Sequence, residues 1–465
     1  MISSNYLFIL PILVAAYLWL KSQPVRLLIV TIAGGVTLLT AGWVDFLIIG
    51  ILILLTWYGV QVIEIKYRQN RLALGLLIAL QVTPLVFYKV LKTGLWGLLG
   101  DGWVESHGMS AWLPPLGISV LTFQAVSYTI DRLKREIESH SILHFAVYMT
   151  FFPHLAAGPI LKASDFVNQL LEFKKVQLID IHEGLWRIFQ GLIKKLIFSD
   201  VIARACVDPV FSDSGSFSSL EIAIALLAYT MQIYLDFSGY TDVVIGSGRL
   251  MGFKLPENFN RPYHATSIAE YWRRWHMSLS TWVNFYVYRP LGGSRVDRWK
   301  IYRNVLISII LLAVWHGLSF NFLIYGMIHG SAVCFNRWLR WQKRWTQWVE
   351  QNPVTSAVAC WIITFSFVVL ARILFRTPNL EEAWNLTENL FNSELSGSPR
   401  FSVFFWISFL LGMVTYFAPE HYGQKAELLF VKAKPWMQGV AFAIVLILAG
   451  YLSGGQALNF IYRTF

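Results

Sequence analysis

Two histidines, His316 and His329, lie in a run of the sequence, from Asn304 to Asn336, that contains no Asp, Glu, Lys or Arg. A buried neutral imidazole can accept a proton near neutral pH, because its unperturbed pKa is about 6.5. The pair suits a general base, and it suits a structural hydrogen bond equally well. The two residues are 13 positions apart, which places them on different faces of a continuous helix, so a shared zinc site is not expected.

A second motif, SIAEYWRRWHMSLSTW (Ser267–Trp282), places a histidine among indole rings. At α-helical spacing, one face would carry Trp272, Trp275, His276 and Leu279. Arg273 and Arg274 flank that face, and Glu270 lies one turn before Arg274, within reach of an i,i+4 ion pair. Spacing alone favours an amphipathic helix, along an interface or against the core, with a packed histidine.

A third motif, FFPHLAAGPI (Phe151–Ile160), places His154 between Pro153 and a Gly158-Pro159 turn. Irregular backbone at membrane depth is tolerated only where it is buried in protein or lines water. His154 is therefore either a functional group on such a path or a solvated histidine in a loop at the interface.

The stretch MQIYLDFSGYTDVVIGSGRLMGF (Met231–Phe253) places Asp236 and Asp242 at the end of an apolar helix. Six residues apart on one helix, the two carboxylates are well separated in azimuth, so a paired-carboxylate acid–base site is not expected. We expect instead an interruption near Gly239, with Asp or Ser238 capping the exposed amides of a second half-helix.

These polar residues need apolar helices to position them. Of 465 residues, 56% are hydrophobic and 14% are charged, against roughly 25% charged in a soluble domain. Apolar runs recur at about 6–20, 27–41, 46–63, 73–88, 113–130, 144–161, 220–237, 305–335, 355–375, 402–418 and 437–455. Several approach the ~20 residues that a membrane-spanning helix needs. We expect one all-α, polytopic membrane domain over residues 1–465, with about ten to twelve transmembrane or re-entrant helices.

The formal charge of +11, from 38 basic and 27 acidic residues, indicates membrane topology rather than nucleic-acid binding. Basic residues follow the first, third and fifth apolar runs, whereas the hairpin near Ala41–Asp45 has none. The positive-inside rule places Met1 outside and these loops in the cytoplasm. Their basic residues are Lys21, Arg26, Lys66, Arg68, Arg71, Arg132, Lys134 and Arg135. NRWLRWQKRW (Asn336–Trp345) is expected on the same side, against membrane lipids.

A set of motifs follows in order between Leu113 and Gly330. They are LPPLGISVLTFQAVSYTIDRLK, FFPHLAAGPIL, YLDFSGYTDVVIGSGRLMGFKLPENFNRPYHATSIAEYWRRWHMSLSTW, PLGGSR, YRN and VWHGLSFNFLIYGMIHG. Together they resemble the membrane-bound O-acyltransferase family, and within it the bacterial branch of alginate O-acetylation and teichoic-acid D-alanylation. LFRTPNLEEAW (Leu374–Trp384) is similar to a further family segment. The family core would therefore cover about residues 113–384.

The resemblance implies a ring of helices around a central funnel that admits an acyl donor from the cytoplasm and an acceptor from outside. It implies that His316, in the Trp-His-Gly motif, is the principal catalytic residue and that His276, in Trp-Arg-Arg-Trp-His, is the second site histidine. The other site candidates, as substrate-binding residues, are Trp275, Trp315, Asp236, Ser238, Asn258, Arg273, Arg274, His154 and His329. No metal or bound cofactor is expected, and the donor would be acetyl-CoA or an acyl-carrier thioester.

The function implied is O-acetylation of an extracytoplasmic polysaccharide, such as an alginate-like exopolysaccharide, from a bacterial inner membrane. A separate extracytoplasmic acyltransferase would be a partner. Two other functions stay open. A transporter also has interrupted helices with polar groups at the midplane, although no inverted repeats are visible and histidines replace acidic coupling sites. A non-catalytic scaffold for the secreted acyltransferase is the other.

One departure from the family pattern follows Trp282. The family usually continues with a bulky apolar residue and then Arg-Asp-Tyr, whereas this chain has Val283, Asn284 and Phe285 before Tyr286. An amide and a ring replace an ion-pairing Arg and Asp. The departure bears on donor docking and on the identity of the carrier, partner or acceptor.

Overall fold

A computed structural model describes residues 4–67, 70–92, 114–138, 140–155, 157–172, 175–392 and 399–453. Across these ranges all the regular structure is helical, apart from an isolated β-bridge between Phe259 and Trp275. The predicted all-α class is confirmed. Met1 and Arg68, on which part of the topology prediction rests, and Leu113, the start of the predicted family core, lie outside the described residues.

The chain forms two compact units, of which the first comprises residues 1–185 and 244–256. Its helices are α1 (Ser4–Trp19), α2 (Gln23–Ala41), α3 (Trp43–Lys66), α4 (Arg71–Lys92), α5 (Ile118–Leu133), α6 (Ile142–Thr150) and α7 (Ala163–Glu172). Gln81 on α4 joins three of them, because its amide donates to the hydroxyls of Thr56 on α3, at 3.1 Å, and Thr129 on α5, at 2.7 Å. All three side chains are buried, so these polar contacts link the three helices inside the protein.

The second unit comprises residues 186–243 and 257–465. Its helices, with the two that begin or end in the first unit, are α8 (Leu178–Leu192), α9 (Ser219–Leu250), α10 (Ile268–Arg274), α11 (Met277–Val283), α12 (Arg298–His316), α13 (Phe320–Arg340), α14 (Lys343–Gln351), α15 (Pro353–Arg376), α16 (Leu380–Asn392), α17 (Val403–Phe417), α18 (Glu420–Lys432) and α19 (Pro435–Ser453). After α8 the chain stays helical, with π-helical turns at Ile193–Ser199 and Ala203–Val207. Another π-helical turn, Asn284–Tyr288, follows α11. The single domain predicted over residues 1–465 stays a prediction.

Six of the described helices, namely α2, α3, α4, α9, α15 and α19, are long and apolar enough to cross a membrane. A seventh span results if α17 and α18, which meet at 102°, form one broken span. Large apolar side chains on these helices face outward, among them Ile51, Ile363 and Ile447, as expected of surfaces that contact lipid. The chain is therefore a multi-pass membrane protein. The predicted total of ten to twelve stays a prediction, because it includes re-entrant helices that this criterion does not count.

The interruption predicted near Gly239 is wrong, since α9 runs without a break from Ser219 to Leu250. Gly239 instead allows close contact with α8, because a Cβ on Gly239 would come within 2.8 Å of the carbonyl oxygen of Gly191. The carboxylates on α9 need no helix break because Asp242 pairs with Lys194 at 2.6 Å and with Arg187 at 2.8 Å. The transporter alternative rested partly on a helix interrupted near Gly239, and the structure does not support that interruption.

Two other stretches that were predicted as continuous helices are broken. The apolar run 305–335 divides into α12 and α13 at residues 317–319, so His316 and His329 lie on different helices rather than on two faces of one. The stretch Ser267–Trp282 divides into α10 and α11 at Trp275 and His276. At the second break, pairing with residues 258–260 replaces local helical continuity, and both breaks lie at a histidine of the candidate site.

Candidate active site

His316 is the last residue of α12, and Gly317 follows it in an extended conformation. A Cβ at Gly317 would come within 2.5 Å of two ring carbons of Phe322, so only glycine allows the chain to pass this close to that ring. The imidazole of His316 stacks on Phe322, with ring centroids 6.1 Å apart, and meets the edge of Phe375 at 5.1 Å. The helix end therefore holds His316 between two aromatic rings.

His276 lies between α10 and α11 in the left-handed conformation, at φ 44° and ψ 56°. This conformation costs a non-glycine residue about 1 kcal/mol or more and persists only where the surroundings impose it. The segment around Asn258 imposes it. The amide of Asn260 donates to the carbonyl of Arg274, at 3.0 Å, and the amide of Met277 donates to the carbonyl of Asn258, at 2.9 Å. Backbone pairing on both sides thus fixes the histidine between two helices.

Asn258 also anchors the start of α11 with its side chain. Its Oδ1 accepts hydrogen bonds from the backbone amide of Ser278, at 3.2 Å, and from the hydroxyl of Ser278, at 2.6 Å. Asn258 is completely buried. The substrate-binding role predicted for Asn258 stays a prediction, and the contacts describe a residue that positions His276.

The structure brings the two candidate catalytic histidines together through Trp315. The Trp315 ring lies 4.6 Å from the ring of His316 and 6.2 Å from the ring of His276. Phe237 on α9 also packs against His276, with ring centroids 4.8 Å apart. Both histidines are 4% exposed. Two imidazoles that flank an indole in a dry site can accept or donate protons and hydrogen bonds to a substrate held beside them.

His329 lies in a neighbouring aromatic cluster on α13. Its ring is 4.3 Å from Tyr325, 4.9 Å from Phe367 and 5.4 Å from Trp272. It is fully buried, and neither ring nitrogen has a hydrogen-bond partner within the described ranges. Tyr325 also contacts Phe375, at 5.4 Å, and Phe375 contacts His316. The two clusters are therefore linked through Tyr325 and Phe375.

Arg372 on α15 is a residue that sequence reasoning missed. It is 1% exposed, and its guanidinium carbon lies 4.8 Å from the centroid of the Trp275 ring and 5.5 Å from that of Phe375. The signal was available, because Arg372 is a cation within the apolar run 355–375, and ionisable residues at membrane depth are candidates for function.

Lys195 was also missed, and it explains Asp236. Its ammonium group lies 2.6 Å from Asp236 and 2.7 Å from Asp200, and all three side chains are buried. Asp236 therefore stabilises the contact between α9 and the helical segment after α8. Ser238 is buried two residues further along α9. The substrate-binding roles predicted for Asp236 and Ser238 stay predictions.

His154 belongs to the first unit, whereas the other candidates belong to the second. It is fully buried, and its Nε2 lies 2.9 Å from Oε1 of Gln124 on α5. Its ring stacks on Phe151 at 5.8 Å. The solvated-loop interpretation of His154 is therefore wrong, because surrounding side chains enclose the irregular backbone.

The two arginines of the Trp-Arg-Arg-Trp-His motif differ in environment. Arg274 pairs with Glu270 at 2.8 Å, which confirms the predicted i,i+4 ion pair, whereas Arg273 is exposed. Burial raises the pKa of Glu270, but hydrogen bonds from Thr266 and Arg274 outweigh burial and hold that pKa below its usual range. Substrate binding by either arginine stays a prediction.

The departure after Trp282 coincides with the π-helical turn Asn284–Tyr288. The Arg289 guanidinium lies 4.0 Å from the centroid of the Phe285 ring, so the ring that stands where the resemblance implies an aspartate stacks on an arginine four residues further along the chain. π-Helical turns occur frequently at functional sites. No group of three His, Cys, Asp or Glu residues within the described ranges is placed to hold a metal ion.

Within the described part of the second unit, a cavity of about 330 Å³ lies between the end of α15, helix α16 and the segment before α9. Carboxylates of Asp213, Glu382 and Glu388 are among its lining groups. None of the candidate site residues lines it. The cavity is therefore separate from the candidate active site at His276 and His316.

Comparison with known proteins gives the family. The model of the membrane-bound O-acyltransferase (MBOAT) family matches residues 51–377. A Pseudomonas aeruginosa protein named "Probable alginate O-acetylase AlgI" is 36% identical over 406 residues, which cover 84% of this chain and 74% of that protein. A Helicobacter pylori peptidoglycan O-acetyltransferase is 34% identical over 308 residues, 59% of this chain and 56% of that protein. A Bacillus subtilis teichoic acid D-alanyltransferase is 32% identical over 276 residues, 56% of this chain and 68% of that protein.

The family match covers more than half of the chain and includes the Trp-His-Gly and Trp-Arg-Arg-Trp-His motifs. It agrees with the helical, multi-pass architecture, and it does not favour the transporter or scaffold alternatives. The chain belongs to the membrane-bound O-acyltransferase family and is a membrane-embedded enzyme that transfers an acyl group from an acyl donor to an oxygen atom.

Proposed function

We propose that the protein transfers an acetyl group from a cytoplasmic thioester, acetyl-CoA or an acyl-carrier thioester, on a path that O-acetylates an extracytoplasmic polysaccharide. Two of the relatives described above carry O-acetyl transfer in their names, with alginate or peptidoglycan as the polymer, and the third transfers D-alanine. An alginate-like exopolysaccharide is the acceptor that the most extensive of these matches supports.

The pairing of His276 and His316 across Trp315 is the observation that carries this proposal. In the proposed reaction, an acceptor hydroxyl oxygen adds to the thioester carbonyl carbon while His316 takes the hydroxyl proton. The tetrahedral intermediate then collapses, the carbon–sulfur bond breaks, and the thiolate leaves with a proton returned from His316. The products are an ester and a free thiol. Base catalysis of this kind contributes about 10²–10⁴-fold.

His276 would donate a hydrogen bond to the thioester carbonyl oxygen, where negative charge develops. Its fixed left-handed backbone suits this task, because a donor that is already oriented needs no reorganisation during the reaction. A covalent acyl-enzyme is not part of the scheme. The sequence has no GxSxG motif, and Cys206, the buried one of three free cysteines, is packed in the core.

We place the enzyme in a bacterial inner membrane with its N-terminus outside, so that donor and acceptor approach from opposite sides through the predicted central funnel. Basic loops on the cytoplasmic side would attract a phosphate-bearing donor. A separate extracytoplasmic acyltransferase is the partner that would complete delivery to the polymer, and membrane lipids surround the outer helices.

The experiment is label transfer in inverted membrane vesicles from cells that carry the wild-type chain, His316→Ala or His276→Asn. Vesicles are supplied with acetyl-CoA labelled in the acetyl group, and label in polysaccharide is measured at equal amounts of membrane-inserted protein. We expect transfer by the wild type and none above background for His316→Ala. Wild-type transfer by His316→Ala would support the scaffold alternative, and counter-flow of substrate without label transfer would support a transporter.

A further inference from the structure

Arg372 is a fully buried cation that packs against two aromatic residues next to the candidate catalytic histidines. One of the rings that it packs against, Phe375, lies 5.1 Å from the ring of His316, and the other, Trp275, directly precedes His276. The guanidinium therefore shares aromatic neighbours with the proposed reaction site, although it belongs to a different helix from either histidine.

The hydrogen-bonding capacity of Arg372 is only partly used. Its Nη2 donates to the hydroxyl of Tyr271 at 2.9 Å. Its Nε is buried and has no hydrogen-bond partner in the part of the chain that the structure describes, nor does any described carboxylate form an ion pair with it. His329, in the adjoining cluster, likewise has no hydrogen-bond partner among the described residues. Buried polar groups without partners are uncommon in folded proteins and call for a ligand or another explanation.

The positive charge of Arg372 makes the absence of a carboxylate partner among the described residues more unfavourable. A guanidinium stays protonated in proteins, and a buried charge without a counter-charge is unfavourable. Contact with aromatic faces offsets only part of that cost. Arg376, one turn further along α15, shows the ordinary solution, because it is partly exposed and pairs with Asp208 at 2.9 Å. Arg372 differs in having aromatic rings and tyrosine hydroxyls around it, including those of Tyr271 and Tyr263.

We propose that Arg372 forms an anion-binding subsite of the reaction centre, and that its ligand is an oxygen anion that a substrate carries or forms there. The inference rests on the proposed acyl transfer. The anion has two possible sources. One is a carboxylate or phosphate that the donor carries, and the other is the thioester carbonyl oxygen, which becomes negative as the hydroxyl oxygen adds to the carbon. A planar guanidinium suits both.

The test compares Arg372→Gln and Arg372→Lys with the matched control Arg376→Gln. Initial rates of acetyl transfer to polysaccharide are measured in the same vesicles, as a function of acetyl-CoA concentration and per folded molecule. We expect Arg372→Gln to lose about 10²-fold or more of the transfer rate, Arg372→Lys to keep part of it because the charge remains, and Arg376→Gln to stay within about twofold of wild type. A fall in kcat identifies the anion formed in the reaction, and a rise in KM identifies one that the donor carries.

Thermal unfolding separates this role from a structural one. If Arg372 serves an anion, Arg372→Met in detergent, without substrates, unfolds at the wild-type temperature or higher, because a buried charge without a counter-charge has been removed. A lower unfolding temperature for Arg372→Met, together with a wild-type rate per folded molecule for Arg372→Gln, would overturn the inference. His316→Ala is measured alongside. If it abolishes transfer while Arg372→Gln does not change it, the subsite is wrong and the acyl-transfer function stands.

Discussion

Replacement of Gly317 by alanine tests how the Trp-His-Gly backbone positions His316. A methyl group at this position would come within 2.5 Å of ring carbons of Phe322, whereas carbon atoms in favourable contact are about 3.5–4.0 Å apart. The backbone at Gly317 is extended, with φ −167°, so alanine fits the conformation without strain. The effect of the substitution is therefore steric.

The magnitude follows from the packing of Phe322. To restore normal contact its ring must move by about 1 Å or more, but the residue is 8% exposed and packs against both His316 and Phe375. Overpacking of this kind costs about 1–3 kcal/mol. A misplacement of about 1 Å at a reacting group costs about 10²-fold in rate. We expect Gly317→Ala to fold, with a lower unfolding temperature, and to lose about 10²-fold in acyl transfer.

The assay is label transfer from acetyl-CoA to polysaccharide, at equal amounts of inserted protein. Gly439→Ala is the matched control, because a Cβ at Gly439 on α19 would meet no atom within 4 Å. The double variant Gly317→Ala/Phe322→Leu should recover part of the rate, since the shorter side chain makes room for the methyl group. Wild-type transfer by Gly317→Ala would mean that contact with Phe322 does not position His316.

Substitutions at four further positions probe the scaffold of the site. His276→Asn should unfold at nearly the wild-type temperature, because asparagine tolerates the left-handed conformation, yet transfer acyl groups far more slowly; a normal rate in the vesicle assay would remove His276 from the mechanism. Asn258→Ala should destabilise the protein by about 1–3 kcal/mol, through loss of two buried hydrogen bonds, and a wild-type temperature in thermal unfolding would contradict these contacts. Lys195→Met should lower the free energy of unfolding by about 3–5 kcal/mol, because it leaves buried carboxylates without a counter-charge. Asp236→Asn should have a smaller effect, because Lys195 keeps its other carboxylate partner. Equal unfolding temperatures for these two variants would contradict the assigned ion pairs.

Features of this site that depend on short-range geometry could be predicted from the sequence. The Glu270–Arg274 ion pair is an example, because its spacing alone brings the two side chains to the same face of a helix. The apolar runs likewise predicted the long helices, since hydropathy and length decide which segments cross a membrane. The family motifs added His276 and His316, which spacing alone could not distinguish from packed histidines.

Features imposed by distant segments could not be predicted in this way. His276 breaks a helix because residues 258–260 pair with the backbone on both sides of it, and helical periodicity contains no trace of that contact. The carboxylate of Asp236 is satisfied by Lys195, which lies 41 positions earlier, so local helix capping was the wrong solution. Arg372 differs, because its charge within an apolar run is visible in the sequence, but only the fold shows which rings and hydroxyls surround it.

Mass analysis of surface polysaccharide from cells that lack the native chain and express either the wild-type protein or His316→Ala is the most direct test of the proposed catalytic role. Both proteins must be present in the membrane at equal amounts and unfold at similar temperatures. We expect acetyl esters on the polymer with the wild type and their loss with His316→Ala. Equal ester content in the two samples would show that His316 is not the base, and that the imidazole beside Trp315 has a structural role.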